Sequence, residues 1–70
     1  MGQLLINYMG TKNDVLNHVN DTCNASNLIG KERMNDTIVG AVNAIEGEKV
    51  RVHVTASSEG GFNMSVLPVV

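Results

Sequence analysis

Cysteine occurs once in these 70 residues, tryptophan not at all, and phenylalanine, tyrosine and proline once each. One thiol cannot close an internal disulfide, and one cysteine with two histidines forms no metal cluster of recognisable spacing. With so few aromatics, the core has to be built from aliphatic side chains. A chain this short buries only about 60% of the surface that its unfolded form exposes. Small cores without staples commonly gain burial by association, so a homo-oligomer built from one domain, residues 1–70, is expected.

Long apolar runs are missing too. Nothing approaches the roughly 18 residues of a membrane span. Leu4 to Ile6 is too short for a secretory core, and no cleavage site follows it. Met1-Gly2 suggests N-myristoylation, but Ile6 stands where that motif requires Ser or Thr. The expectation is a cytoplasmic protein with no membrane partner. Positive charge is also scarce. Lys12, Lys31, Arg33, Lys49 and Arg51 are scattered among seven acids, for a net charge of -2. Nucleic acid is therefore not the expected partner.

Asparagine is abundant, with nine copies, and four of them begin N-x-[ST] sequons at Asn20, Asn24, Asn35 and Asn63. Without a secretory signal, these read as a by-product of composition.

The most ordered pattern lies between Lys49 and Val69. Val50, Val52, Val54 and Ala56 alternate with Arg51, His53, Thr55 and Ser57. Phe62, Met64 and Val66 then alternate with Asn63 and Ser65. A period of two marks strands with one buried and one wet face. Opposed residues in a hairpin have a constant index sum, so pairing apolar with apolar requires that sum to be even. A loop of Ser58-Glu59-Gly60 satisfies this, setting Ala56 opposite Phe62, Val54 opposite Met64 and Val52 opposite Val66. Gly60 suits the positive φ at the end of such a loop. A five-residue loop gives the same register. Pro68 is expected at an edge or a strand end.

Upstream, Gln3 to Met9 reads as a strand with Leu4, Ile6 and Tyr8 on one side and Leu5, Asn7 and Met9 on the other. Gly10 to Asp14 reads as a loop into a helix, with Thr11 and Asp14 as a capping box or Asn13 as the N-cap. Val15, Leu16, Val19 and Cys23 form an apolar stripe, opposite Asp14, Asn17, His18 and Asp21. This helix is expected to end near Asn24. A second spans Lys31 to Ile45, with Met34, Ile38, Ala41, Val42 and Ile45 inward. Gly40 is read as a place where another backbone packs close, and Gly47 as the left-handed helix stop. The order is β-α-α-β-β. The expected fold is a small two-layer α+β domain, a three-stranded antiparallel sheet with two helices on one face.

The wet face of the hairpin is the main candidate site. Arg51, His53, Thr55, Asn63 and Ser65 place a cation, an imidazole, two hydroxyls and an amide together, a set that can hold an anion or polar molecule. Thr11 and Lys12, after Gly10, offer a weaker one at a helix start, as do Gly30 and Lys31. Asp14, His18 and Asp21 share a helix face but read as a surface row. Cys23 reads as a buried thiol without a base. No catalytic residue or metal ligand is assigned.

The run Val39-Gly40-Ala41-Val42-Asn43-Ala44-Ile45, followed by a strand, is superficially similar to the asparagine-bearing helix of histidine-kinase-type ATPase domains. The similarity would make Asn43 a metal and nucleotide support. The acid that this family carries four residues earlier is Val39 here, and no Asp-x-Gly-x-Gly loop follows, so no cofactor is expected. The functional expectation is a non-enzymatic, homo-oligomeric protein that binds or sequesters a small anionic or nucleotide-like ligand. The alternative is a protein-binding inhibitor or adaptor, of the kind mobile elements encode, docking through its sheet edge or open face.

Overall fold

The computed structural model describes residues 3–69; Met1-Gly2, and with it the myristoylation reading, lies outside them. The elements are β1 (Gln3–Thr11), α1 (Lys12–Ala25), α2 (Lys31–Ala44), β2 (Lys49–Ala56) and β3 (Phe62–Pro68). They form an antiparallel sheet in the order β1-β2-β3, so the most regularly alternating strand is central. Among the described residues, no helix is long and apolar enough to cross a membrane.

The hairpin has the register that parity demands: Ala56 faces Phe62, Val54 faces Met64 and Val52 faces Val66. Ser57 N–H donates to Gly61 O at 3.1 Å, and Gly60 N–H donates to Ser57 O at 3.2 Å. These bonds close a three-residue loop inside the five residues that separate the strands. Gly60 lies at φ 96°, a conformation that costs a side-chain-bearing residue about 1–2 kcal/mol.

The core is aliphatic throughout. Val50, Val52 and Val54 of β2 and Ile6 of β1 pack against Val15, Val19 and Cys23 of α1 and Met34, Ile38 and Val42 of α2. These helical residues recur at three- and four-residue spacing, which draws one stripe down each helix. α1 lies over β1 and β2, and α2 over β3. Phe62, Met64 and Val66 are only half-buried, because β3 is an edge strand with no neighbour on its outer side.

Five sequence expectations need correction. Gly10 to Asp14 is not a loop: β1 runs to Thr11, which is itself the N-cap of α1. Thr11 Oγ1 accepts from Asp14 N–H at 3.2 Å, and strand passes into helix at that hydroxyl. Leu4 does not share a side with Ile6 and Tyr8. A β-bulge between Leu4 and Ile6 shifts the register by one, leaving Leu4 opposite Thr55 on the open face. His18 is half-buried and stacks on Tyr8, with ring centroids 4.2 Å apart and planes at 12°. Gly40 meets no other backbone, since a Cβ built there has nothing within 4 Å. α2 stops at Ala44 with Ile45 as an extended C-cap, and Gly47 (φ 107°) turns the chain beyond that cap.

Each helix end is closed by a lysine from the start of the other helix. Neither helix has a basic residue in its own last turn. Lys31, first in α2, donates from Nζ to Ser26 O at the C-cap of α1 (3.0 Å). Lys12, first in α1, donates from Nζ to Ile45 O at the C-cap of α2. Each ammonium satisfies an orphan carbonyl at the negative end of a helix dipole.

Candidate functional site

The helices cover one face of the sheet, and among the described residues no layer covers the other face. Strand alternation decides what stands there. From β2 come Lys49, Arg51, His53 and Thr55, whose even-numbered neighbours are in the core. Pairing then builds rows across all three strands. Met9, Arg51 and Leu67 form one row, Asn7, His53 and Ser65 the next, and Leu4, Thr55 and Asn63 the third. Strands lie about 4.8 Å apart, so members of a row are side-chain neighbours. All five hairpin residues singled out in the sequence share this surface. Arg51, His53, Asn63 and Ser65 are exposed, and Thr55 is half-buried.

The surface is less polar than the hairpin alone implied. Leu4 is 55% exposed, Met9 61% and Leu67 57%. Leu4 escaped the sequence reading because the bulge moves it to the other face; Asn7 and Met9 stand opposite Ile6 and Tyr8 as the alternation implied, and the pairing of β1 with β2 joins them to this surface. Three consecutive apolar residues at Leu4-Leu5-Ile6 were the available signal, since strict alternation cannot accommodate them. Charge is sorted between the layers. All seven acids lie outside the strands: Asp14 and Asp21 on α1, Glu32 and Asp36 on α2, Glu46 and Glu48 before β2, and Glu59 in the hairpin loop. The strands carry Lys49, Arg51 and His53 and no acid.

The helix-start candidates are tied into the fold. Thr11 holds Asp14 N–H, Lys12 N–H donates to Glu48 O at 2.9 Å, and Lys12 Nζ is on Ile45 O. The groove there, about 330 Å³, is lined by Thr11, Lys12, Asn13, Gly47 and Glu48. An anion entering it would meet the Glu48 carboxylate. Lys31 is likewise engaged with Ser26 O.

A second hollow, about 170 Å³, lies between α1 and α2 and includes Asn20, Cys23, Lys31 and Asn35 in its lining. Asn35 Oδ1 is buried there without a hydrogen-bond partner. Burial pushes the Cys23 thiol above its ordinary value of 9.0, with the Lys31 ammonium opposing and the Glu32 carboxylate adding to the rise. A thiol held protonated in this way is a poor nucleophile. Among the described residues, no group of three or more His, Cys, Asp or Glu side chains could hold a metal ion.

Comparison with protein-family models, with curated proteins and with solved structures gave no match to this chain.

Proposed function

We propose that the chain is a non-enzymatic binding module that docks an acidic, partly apolar segment of a partner protein on its open sheet face. The observation that carries this reading is the make-up of that face. Leu4, Met9 and Leu67 stand exposed around Arg51 and His53, on a sheet from which every acid is excluded. Apolar patches with a few fixed charges are characteristic of protein-binding surfaces. The sign of those charges selects the partner and steers its approach. Arg51 offers a planar fork that matches a carboxylate bidentately. Its row neighbours Met9 and Leu67 supply apolar contact on either side.

A small anionic or nucleotide-like ligand on the same residues has less support. Such ligands are held in concavities that enclose most of their surface, and the grooves described above lie away from Arg51 and His53. A non-enzymatic role is supported by the separation of the reactive groups. Cys23 is in the core, whereas His53 is on the outer face of the sheet.

The test is a nuclear magnetic resonance titration with a synthetic peptide of alternating Leu and Glu, with ATP as a parallel arm. The expected result is peptide-induced shifts at Asn7, Met9, Arg51, His53, Ser65 and Leu67 that weaken as salt is raised. Arg51→Glu should abolish them while the melting temperature stays within about 2 °C, as expected for an exposed surface change. Shifts confined to the helix layer, or an unaffected Arg51→Glu variant, refute the proposal. Shifts at those residues with ATP but not peptide favour the small-ligand reading.

A further inference from the structure

We infer that two copies of this chain pair through the outer edge of β3, joining their sheets into one continuous six-stranded sheet. This surface is distinct from the open face discussed above, and the inference does not rest on that proposal.

The phase of the ladder identifies the free groups. Ser57 N–H bonds Gly61 O and Val69 N–H bonds Lys49 O, so odd-numbered residues exchange hydrogen bonds between β2 and β3. In an antiparallel ladder these pairs alternate with pairs that do not bond each other. The N–H and C=O groups of Phe62, Met64 and Val66 are therefore directed to the outer edge of β3. Pro68 is the next residue in this phase, and it has no N–H to offer there. The open edge is thus three rungs long and centred on Met64.

Those three rungs are complementary to themselves. A two-fold axis at Met64 sets Met64 against Met64 of the second copy, and Phe62 against Val66 in both directions. Every edge group then finds a partner, and Pro68 falls opposite Gly60, outside the ladder. The same pairing completes the core. Phe62, Met64 and Val66 are half-buried, whereas Val54 and Val52, the β2 partners of Met64 and Val66, are fully buried. The missing cover is a strand on the outer side.

Charge supports a second copy of opposite direction. A groove of about 430 Å³ runs beside this edge, lined by Ile29, Gly30, Arg33, Thr37, Gly61 and Phe62, with one cation and no acid. It also shows that the start of α2 lies beside the start of β3. The two-fold axis therefore sets the two α2 helices antiparallel, with Arg33 of each near the other's C-terminal end. That end carries the Glu46 carboxylate, next to the C-cap carbonyl that Lys12 holds. Ile29, 99% exposed at the groove, gains a surface to pack on.

Native mass spectrometry and amide hydrogen exchange over a dilution series test this. The expected mass is twice the 7.5 kDa of the chain. The amides of Phe62, Met64 and Val66 should become protected as the dimer forms, while those of Asn63, Ser65 and Leu67 stay protected at every concentration. Met64→Pro, which removes an edge N–H without touching the β2–β3 ladder, should give a monomer. Arg51→Glu, on the open face, should remain dimeric. A chain that is monomeric throughout, or a dimer in which the Phe62, Met64 and Val66 amides exchange unchanged, overturns the inference. Protection of these amides by an extended peptide of another protein, with the chain alone monomeric, overturns it in favour of heterologous strand addition.

Discussion

Replacing Gly40 by alanine should stabilise this protein. Gly40 lies inside α2, is exposed, and has nothing within 4 Å of the Cβ it would gain. No packing term enters, so the effect is one of backbone entropy and helix propensity alone. Glycine is about 0.8–1.0 kcal/mol worse than alanine inside a helix, and a strain-free Gly→Ala change stabilises by about 0.4–1 kcal/mol. For a domain of this size, 1 kcal/mol corresponds to about 4–8 °C in melting temperature. Urea unfolding followed by far-ultraviolet circular dichroism should show the midpoint rising by about 0.5–1 M with an unchanged slope, since slopes near 1 kcal/mol/M are typical of small domains. Gly60→Ala provides the opposite sign. It is just as open to solvent, but its φ of 96° is one that alanine avoids, so a loss of about 1–2 kcal/mol is expected. A Gly40→Ala variant less stable than the parent would refute the reasoning. It would mean that something packs on the exposed side of α2.

Removing the Thr11 hydroxyl with Thr11→Ala should cost about 1 kcal/mol through the lost N-cap, and Thr11→Ser should restore most of it in the same melts. Val52→Ala, at a fully buried site on the central strand, should cost about 2–3 kcal/mol from two lost methyl groups and the cavity they leave. A loss below about 0.5 kcal/mol would argue against its burial. The raised thiol of Cys23 predicts a pH dependence with a definite sign. Unfolded chains ionise this thiol first, so its contribution is intact below the ordinary value of 9.0 and declines as pH rises from there through the folded value. Cys23→Ala should flatten that part of the alkaline slope, and iodoacetamide labelling of the parent should accelerate sharply when it is unfolded in urea.

Period and parity in the sequence were enough to determine a good deal of this protein. Alternation from Val50 to Val66 permitted one register, because a shift by one residue would have turned Phe62, Met64 and Val66 into water. Valine, isoleucine and methionine at helical spacing likewise determined which sides of α1 and α2 are buried. The grouping of Arg51, His53, Thr55, Asn63 and Ser65 on one surface followed from the same parity. Tertiary structure alone decided the rest, since each remaining feature depends on residues far apart in the chain. The bulge that turns Leu4 outward answers to the pairing of β1 with β2, and local pattern does not encode a partner strand. Lys12 reads as a free cation at a helix start, yet the antiparallel packing of two helices brings the Ile45 carbonyl to it. The sorting of all acids away from the sheet becomes a charged surface only once β1 and β3 flank β2. Order along the chain cannot express that neighbourhood, because it is made by contacts between segments dozens of residues apart.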